Sequence, residues 1–135
     1  MAKIGFYAVV NLFFYFCEKL KGGNMLERNY QSKLIKKLKQ LFPGCIVMKT
    51  DPTYIQGIPD LLILVEDKWF ALEVKKSKTA RHQPNQDFYV KRMNTMSCAS
   101  FISPETEEEV LNDIQQTLGS RRKARVSRGK SVKLA

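Results

Sequence analysis

The first regular pattern along the chain begins near residue 25. Leu26, Tyr30, Leu34 with Ile35, Leu38 and Leu41 recur every three to four positions, while Lys33, Lys36, Lys37 and Lys39 fall on the other side. That period predicts an amphipathic helix opening at Met25 and ending before Pro43-Gly44. Cys45 to Lys49 reads as a short strand, and Asp51-Pro52 and Gly57-Ile58-Pro59 bracket a loop. Leu61–Val65 and Lys68–Lys75 follow as two strands separated only by Glu66-Asp67, a gap that admits nothing but a hairpin. Lys76 to Gln83 is basic and aperiodic. Pro84 suits the first turn of a helix running to about Asn94, and Cys98–Ile102 reads as a fourth strand. Ser103 and Pro104 suit the cap and first position of a last helix. Glu105 and Glu107 match its positive end, Val110, Leu111, Ile114 and Leu118 form its apolar stripe, and Gly119 stops it. The predicted order is α-β-β-β-α-β-α, an α/β arrangement.

Upstream of this pattern, residues 4–17 hold four of the eight Phe and two of the five Tyr. As a helix these residues reach about 21 Å, short of the roughly 30 Å hydrocarbon core, and Asn11 interrupts them, so a membrane span is not expected. Lys3 stands before the stretch as in a secretory signal, but Cys17-Glu18-Lys19 is a poor cleavage site. A signal or anchor stays open, as does docking onto the domain or a partner. The chain then divides into an N-terminal extension over 1–24, a domain over 25–118 and a tail over 119–135, with a cytoplasmic location expected.

Composition narrows the function classes. With 44% hydrophobic and 27% charged residues in 135, the chain is neither disordered, collagenous nor a disulfide scaffold. Three cysteines (Cys17, Cys45, Cys98) form no CxxC pair, and one histidine, His82, leaves no zinc set and no Ser-His-Asp triad. There is no glycine-rich phosphate loop and no internal repeat. The net charge of +10 is concentrated at one end: seven bases (Arg121, Arg122, Lys123, Arg125, Arg128, Lys130, Lys133) and no acid occupy residues 119–135. The segment 25–118 is close to neutral. A tail so poor in apolar residues is expected to stay mobile and to attract nucleic-acid phosphate in a salt-dependent way. A solubilising terminus or an anionic-lipid contact are the alternatives.

The hairpin can be registered by arithmetic. If Val65 opposes Lys68, opposed positions sum to 133 and Asp60 faces Glu73, with Cβ atoms roughly 4.5–5.5 Å apart. Alternation puts Lys75 on that face and turns Phe70, Leu72 and Val74 into a core. Two opposed carboxylates repel unless a cation lies between them, and hard oxygen donors suit Mg²⁺. Lys75 could then orient a water or neutralise charge on a phosphoryl oxygen. In the plainer reading Asp60 caps a turn, and Glu73 and Lys75 are solvated. A sheet flanked by helices is expected to be covered on both faces, which makes a paired carboxylate there costly without a cation.

Gly57-Ile58-Pro59-Asp60 followed by Glu73-Val74-Lys75 on the second hairpin strand resembles the PD-(D/E)xK nuclease signature. With Pro84-Asn85-Gln86 opening the next helix, it is similar to the stand-alone VRR-NUC branch over residues 25–118. The resemblance implies a restriction-endonuclease-like αβββαβ core, a mixed central sheet flanked by helices, plus a C-terminal helix. It also implies Mg²⁺-dependent hydrolysis of DNA phosphodiesters, with Mn²⁺ able to substitute and no small-molecule cofactor. Asp60, Glu73 and the Val74 carbonyl would bind the metal, Lys75 would serve the water or the transition state, and Gln86 would hold the site. Glu27 would complete the metal site or, in the alternative, only close a capping box with Asn24; Gln31 could accompany it. Gln83 departs from the pattern, standing where a small capping residue is usual. Lys76, Lys78, Arg81 and His82 beside the site, and Arg121, Arg122, Lys123 and Arg125 in the tail, read as DNA contacts, with a solvated loop as the alternative for the first group. Trp69 and Phe70 read as core or dimer contacts. The expected substrate is branched DNA such as a Holliday junction, cut by a homodimer. A restriction or repair nuclease on linear duplex, or a non-catalytic nucleic-acid-binding module, are the competing readings.

Overall fold

A computed structural model of the protein describes residues 26–129, with side chains to residue 119. Helix α1 spans Glu27–Leu41 and buries Tyr30, Leu34 and Leu38 of the predicted stripe, with Ile35 and Leu41 half-buried, whereas Leu26 stands ahead of the helix and is exposed. Strands β1 (Ile46–Lys49), β2 (Leu61–Val65) and β3 (Lys68–Val74) follow, then helix α2 (Gln86–Met96), strand β4 (Ala99–Ile102) and helix α3 (Glu107–Gly129). Among the described residues the protein is thus a mixed α/β fold of three helices and one four-stranded sheet. The sheet order is β1-β2-β3-β4, antiparallel across the first three strands and parallel between β3 and β4. A parallel pair needs a crossover, which α2 supplies.

The hairpin has the register expected from its two-residue turn. Val65 opposes Lys68 and Leu61 opposes Leu72, with Glu66 taking the left-handed backbone the tight turn requires (φ 55°). Alternation then sorts the side chains. Leu61, Ile63, Phe70, Leu72, Val74, Cys98 and Ile102 pack beneath α1 and α3 against Tyr30, Leu34, Leu38, Leu111, Ile114 and Leu118. The opposite face carries a smaller cluster, Ala71, Ala99 and Val90 of α2, flanked by Leu62, Trp69, Met93 and Phe101. Phe70 is therefore core, and Trp69 lies half-buried on the other face.

Several boundaries differ from the sequence reading. α3 does not stop at Gly119 but continues to Gly129, so residues 119–129 of the segment expected to stay mobile are helical. Arg, Lys and Ala are strong helix formers, and one glycine costs only about 1 kcal/mol against alanine, too little to end a helix by itself. α3 also starts later than Ser103-Pro104. There Ser103 N–H donates to Thr106 Oγ1 (3.0 Å) and Thr106 N–H to the Ser103 carbonyl (3.1 Å), closing a turn ahead of the helix. Pro84 lies before α2 rather than in its first turn, because Asn85 adopts the left-handed conformation (φ 68°) at the helix start. Coverage of the second face is incomplete. α2 packs on β3 and β4, whereas Ile46 and Met48 on edge strand β1 stay 59% and 47% exposed. α1 opens at Glu27, two residues later than expected, with Leu26 extended at its N-cap. The 1–24 extension and residues 130–135 lie outside the described residues, as do the side chains of Arg121, Arg122, Lys123 and Arg125. No helix among the described residues is long and apolar enough to cross a membrane.

Candidate active site

The site forms where the loop before β2 meets the turn before α2. Gly57 has φ +87°, and a Cβ there would come within 2.7 Å of Asn85 backbone and side-chain carbon and 2.8 Å of the Pro84 carbonyl. Only glycine satisfies both the dihedral and the contact. The Gly57–Asp60 and Pro84–Gln86 segments, distant in sequence, therefore lie directly against each other. Beyond Gly57, Pro59 is buried and its carbonyl accepts from Thr50 Oγ1 at 2.6 Å, while Thr50 N–H donates to the Asp60 carbonyl at 3.0 Å. These bonds fix Asp60 one residue ahead of β2.

The hairpin ladder ends at Leu61 and Leu72. Val74 N–H is left to the Asp60 side chain, whose Oδ2 accepts it at 2.9 Å. Glu73, on the opposite face from the Val74 side chain, is 1% exposed, and Lys75 is 6% exposed. Gln86, the first residue of α2, bridges them. Its Oε1 accepts from Lys75 Nζ (2.7 Å) and from Gln83 N–H (2.7 Å), and its Nε2 donates to Glu73 Oε1. Lys75 Nζ also lies 3.5 Å from Glu73 Oε1. The other oxygen, Glu73 Oε2, is buried with no hydrogen-bond partner.

Burial of two neighbouring carboxylates sets the electrostatics. Burial raises Asp60 above the usual carboxylate range and the charge of Glu27 adds to this, against the Val74 N–H and Lys75. Glu73 is pushed up to about 7, chiefly by burial and next by the charge of Asp60, with Lys75 opposing. Glu27, exposed in the first turn of α1, raises both. Its capping-box role is not seen: Leu26 is the N-cap residue and makes no side-chain cap bond, and Asn24 lies outside the described residues. Gln31 is half-buried one turn further along α1.

The donor chemistry fits a hard divalent cation. An unpartnered carboxylate oxygen beside a second desolvated carboxylate is a pair whose charged form needs a cation. The Val74 carbonyl leaves the strand on the same edge as its N–H, toward Asp60. No group of three His, Cys, Asp or Glu among the described residues is gathered closely enough to hold a metal by itself, so a bound ion would lean on the backbone and on water as well as on Asp60 and Glu73.

Around this centre, Lys76, Lys78 and Arg81 are exposed on the loop leaving β3. Lys78 N–H donates to Glu105 Oε2 at 3.1 Å, tying that loop to the turn before α3. His82, read from sequence as a phosphate contact, is already engaged. Its ring stacks on Phe101 (centroids 4.0 Å apart, planes at 10°) and its Nδ1 pairs with Asp87 Oδ1 at 2.8 Å. Sequence reasoning missed the Asn85 backbone and the part played by the Gln83 amide.

Comparisons with protein-family models, with curated proteins and with solved structures give no significant match.

Proposed function

We propose that the protein is a metal-dependent endonuclease of the PD-(D/E)xK type, with a restriction-endonuclease-like core of the VRR-NUC kind, that hydrolyses DNA phosphodiesters, in preference at branch points such as four-way junctions. The observation that carries this reading is the Asp60-Glu73-Lys75 cluster: two desolvated carboxylates, one with an oxygen lacking any partner, beside a lysine held by the Gln86 amide. Such groups are costly in a merely structural role and useful in a catalytic one.

Asp60, Glu73 and the Val74 carbonyl would hold Mg²⁺ or Mn²⁺, with Glu27 contributing charge from α1. A divalent ion there supplies Lewis-acid stabilisation of phosphoryl oxygen and a more acidic water. Lys75 is the group of this chain that acts on the reacting atoms, orienting the attacking water or neutralising charge on the phosphoryl oxygen. Gln86 fixes the lysine and Glu73 with one amide, so neither needs to reorganise as charge develops. Lys76, Lys78, Arg81 and the bases of residues 119–135 supply phosphate attraction. Cutting both strands of a junction calls for two such centres, hence a homodimer, which light scattering of the full chain tests.

The test is cleavage of a labelled four-way junction beside a linear duplex of matched sequence, in Mg²⁺ and in chelator. Metal-dependent cutting of the junction, lost in Asp60→Asn and Lys75→Ala, is the expected result. Equal cutting of both substrates points to a restriction or repair nuclease. DNA binding without cutting in Mg²⁺ or Mn²⁺ overturns the enzyme reading in favour of a binding module.

A further inference from the structure

The sheet has one apolar stretch that the described elements leave open. On the face opposite α1 and α3, Ile46 and Met48 of β1 oppose Leu64 and Leu62, and Leu64 in turn opposes Trp69. α2 packs on β3 and β4, so Ile46 and Met48 stay exposed while Leu62, Leu64 and Trp69 are half-buried. β1 is also the edge of the sheet. Edge strands are ordinarily blunted by charge, proline or a covering element, and Ile46–Lys49 has only Lys49 to serve. The stretch lies on the same face as the Asp60-Glu73-Lys75 cluster but shares no residue with it.

The same chain carries a segment that suits this seat. Residues 4–17, outside the described residues, hold four Phe, two Tyr and no charged side chain. The connection to α1 is long enough: from Cys17 to Leu26 the chain reaches about 30 Å when extended. α1 also opens at the right end of the sheet. Tyr30, in its first turn, donates to Glu107 at the start of α3, the helix after β4, whose Ile102 partners Val74. Lys49 of β1 lies at that end too, opposite Leu61. β1 stands two strand spacings, about 10 Å, from β3. Leu26 is extended and exposed, so the helix does not continue back through it. Residues 18–25 contain Gly22-Gly23 and the charged Glu18, Lys19 and Lys21, the make-up of a connecting segment.

We propose that residues 4–17 pack on Ile46, Met48, Leu62, Leu64 and Trp69 of their own chain, covering the open face and the β1 edge. A tethered segment meets this face at roughly millimolar effective concentration, well ahead of a second copy in dilute solution. A second copy seated there would leave the aromatics of residues 4–17 still unburied. As a helix the segment is too short to carry them across a bilayer. The proposal stands apart from the nuclease reading and does not need it.

Trp69 is the chain's single tryptophan and sits within the proposed contact, so its fluorescence reports on it. Full-length wild type is compared with Phe13→Asp/Phe14→Asp, with Met48→Asp and with all three changes together, by acrylamide quenching. The change in the segment should raise the quenching slope roughly two-fold, as the indole passes from covered to half-exposed. Met48→Asp should raise it as much, and the combination no further, because both break one contact. A slope unmoved by the segment variant overturns the proposal. The occupant is identified separately, in full-length protein carrying Phe6→p-benzoylphenylalanine or Phe14→p-benzoylphenylalanine, irradiated as an equal mixture of ordinary and ¹⁵N-labelled chains. Cross-links to β1 or β2 in products of unmixed isotope are expected. Mixed-isotope links put a second copy on the face, and no link to it from either position leaves it to another molecule; either result overturns the proposal.

Discussion

A carboxylate oxygen buried without a partner must be protonated or matched by a cation, and Glu73 Oε2 is in that position. Its acid is raised from an ordinary 4.5 to about 7, so the folded protein holds the proton to higher pH than the unfolded chain does. The sign follows: metal-free stability is complete below about pH 4.5 and is lost as pH rises through 7. In chelator, Glu73→Gln is expected to melt roughly 5 °C or more above wild type at pH 8 and to converge on it near pH 4.5. Mg²⁺ should raise the melting temperature of wild type at pH 8 and leave the variant unmoved; calorimetry across pH checks both. A second residue-scale contrast lies between two glycines of positive φ. Gly57→Ala meets Asn85 at 2.7 Å, whereas Gly44→Ala (φ +80°) meets nothing within 4 Å. Gly44→Ala should cost about 1 kcal/mol, from dihedral strain alone. Gly57→Ala should cost roughly 2–4 kcal/mol by urea unfolding and abolish metal-dependent cutting, because it parts the loop of Asp60 from the turn of Gln86.

At the scale of elements, α1 and α3 are joined by a buried polar link. Tyr30 donates to Glu107 Oε2 at 2.9 Å, and Lys37 pairs with Oε1 of the same carboxylate. Removing the shared acceptor takes this bond from both donors. Glu107→Ala should therefore destabilise by about 2–4 kcal/mol, and Tyr30→Phe, which removes one donor, by about 1 kcal/mol, read from urea midpoints. Nothing in the apolar pattern announced this link, since Tyr30 fitted the stripe and Glu107 fitted the positive end of a helix. The same division explains what else was legible. The hairpin register followed from a two-residue turn, and the inward residues of α1, β2 and β3 from their periods, because both are local. Asp60 beside Val74 followed in part, since the register placed its partner strand but not the hydrogen bond made where the ladder ends. The starts of α2 and α3 were misread because they are set by contacts between segments or by competing side-chain bonds: Gly57 pressing on Asn85, and Thr106 closing on Ser103.

For the whole molecule, charge is segregated rather than spread. Residues 119–135 carry seven of the 23 basic residues and no acid, while the fold that precedes them is close to neutral. With residues 119–129 helical, part of that charge belongs to the extension of α3. Counterion release makes binding to DNA fall with salt by about 0.9 logarithmic units per neutralised phosphate. Replacing Arg121, Arg122, Lys123 and Arg125 together by Gln in the full chain should lower the steepness of log K against log salt by at most about 3 to 4. The loss should be the same for duplex and branched DNA, because phosphate contacts carry no sequence or shape information of their own. Cleavage at saturating DNA and low salt should keep its rate, since Asp60, Glu73 and Lys75 do not depend on the tail. Fluorescence anisotropy titrations from 50 to 300 mM salt, run beside single-turnover cleavage, separate these effects. An unchanged slope would place DNA attraction on Lys76, Lys78, Arg81 and the outer side of α2 instead, and a loss confined to branched DNA would make the tail a reader of structure rather than a source of charge.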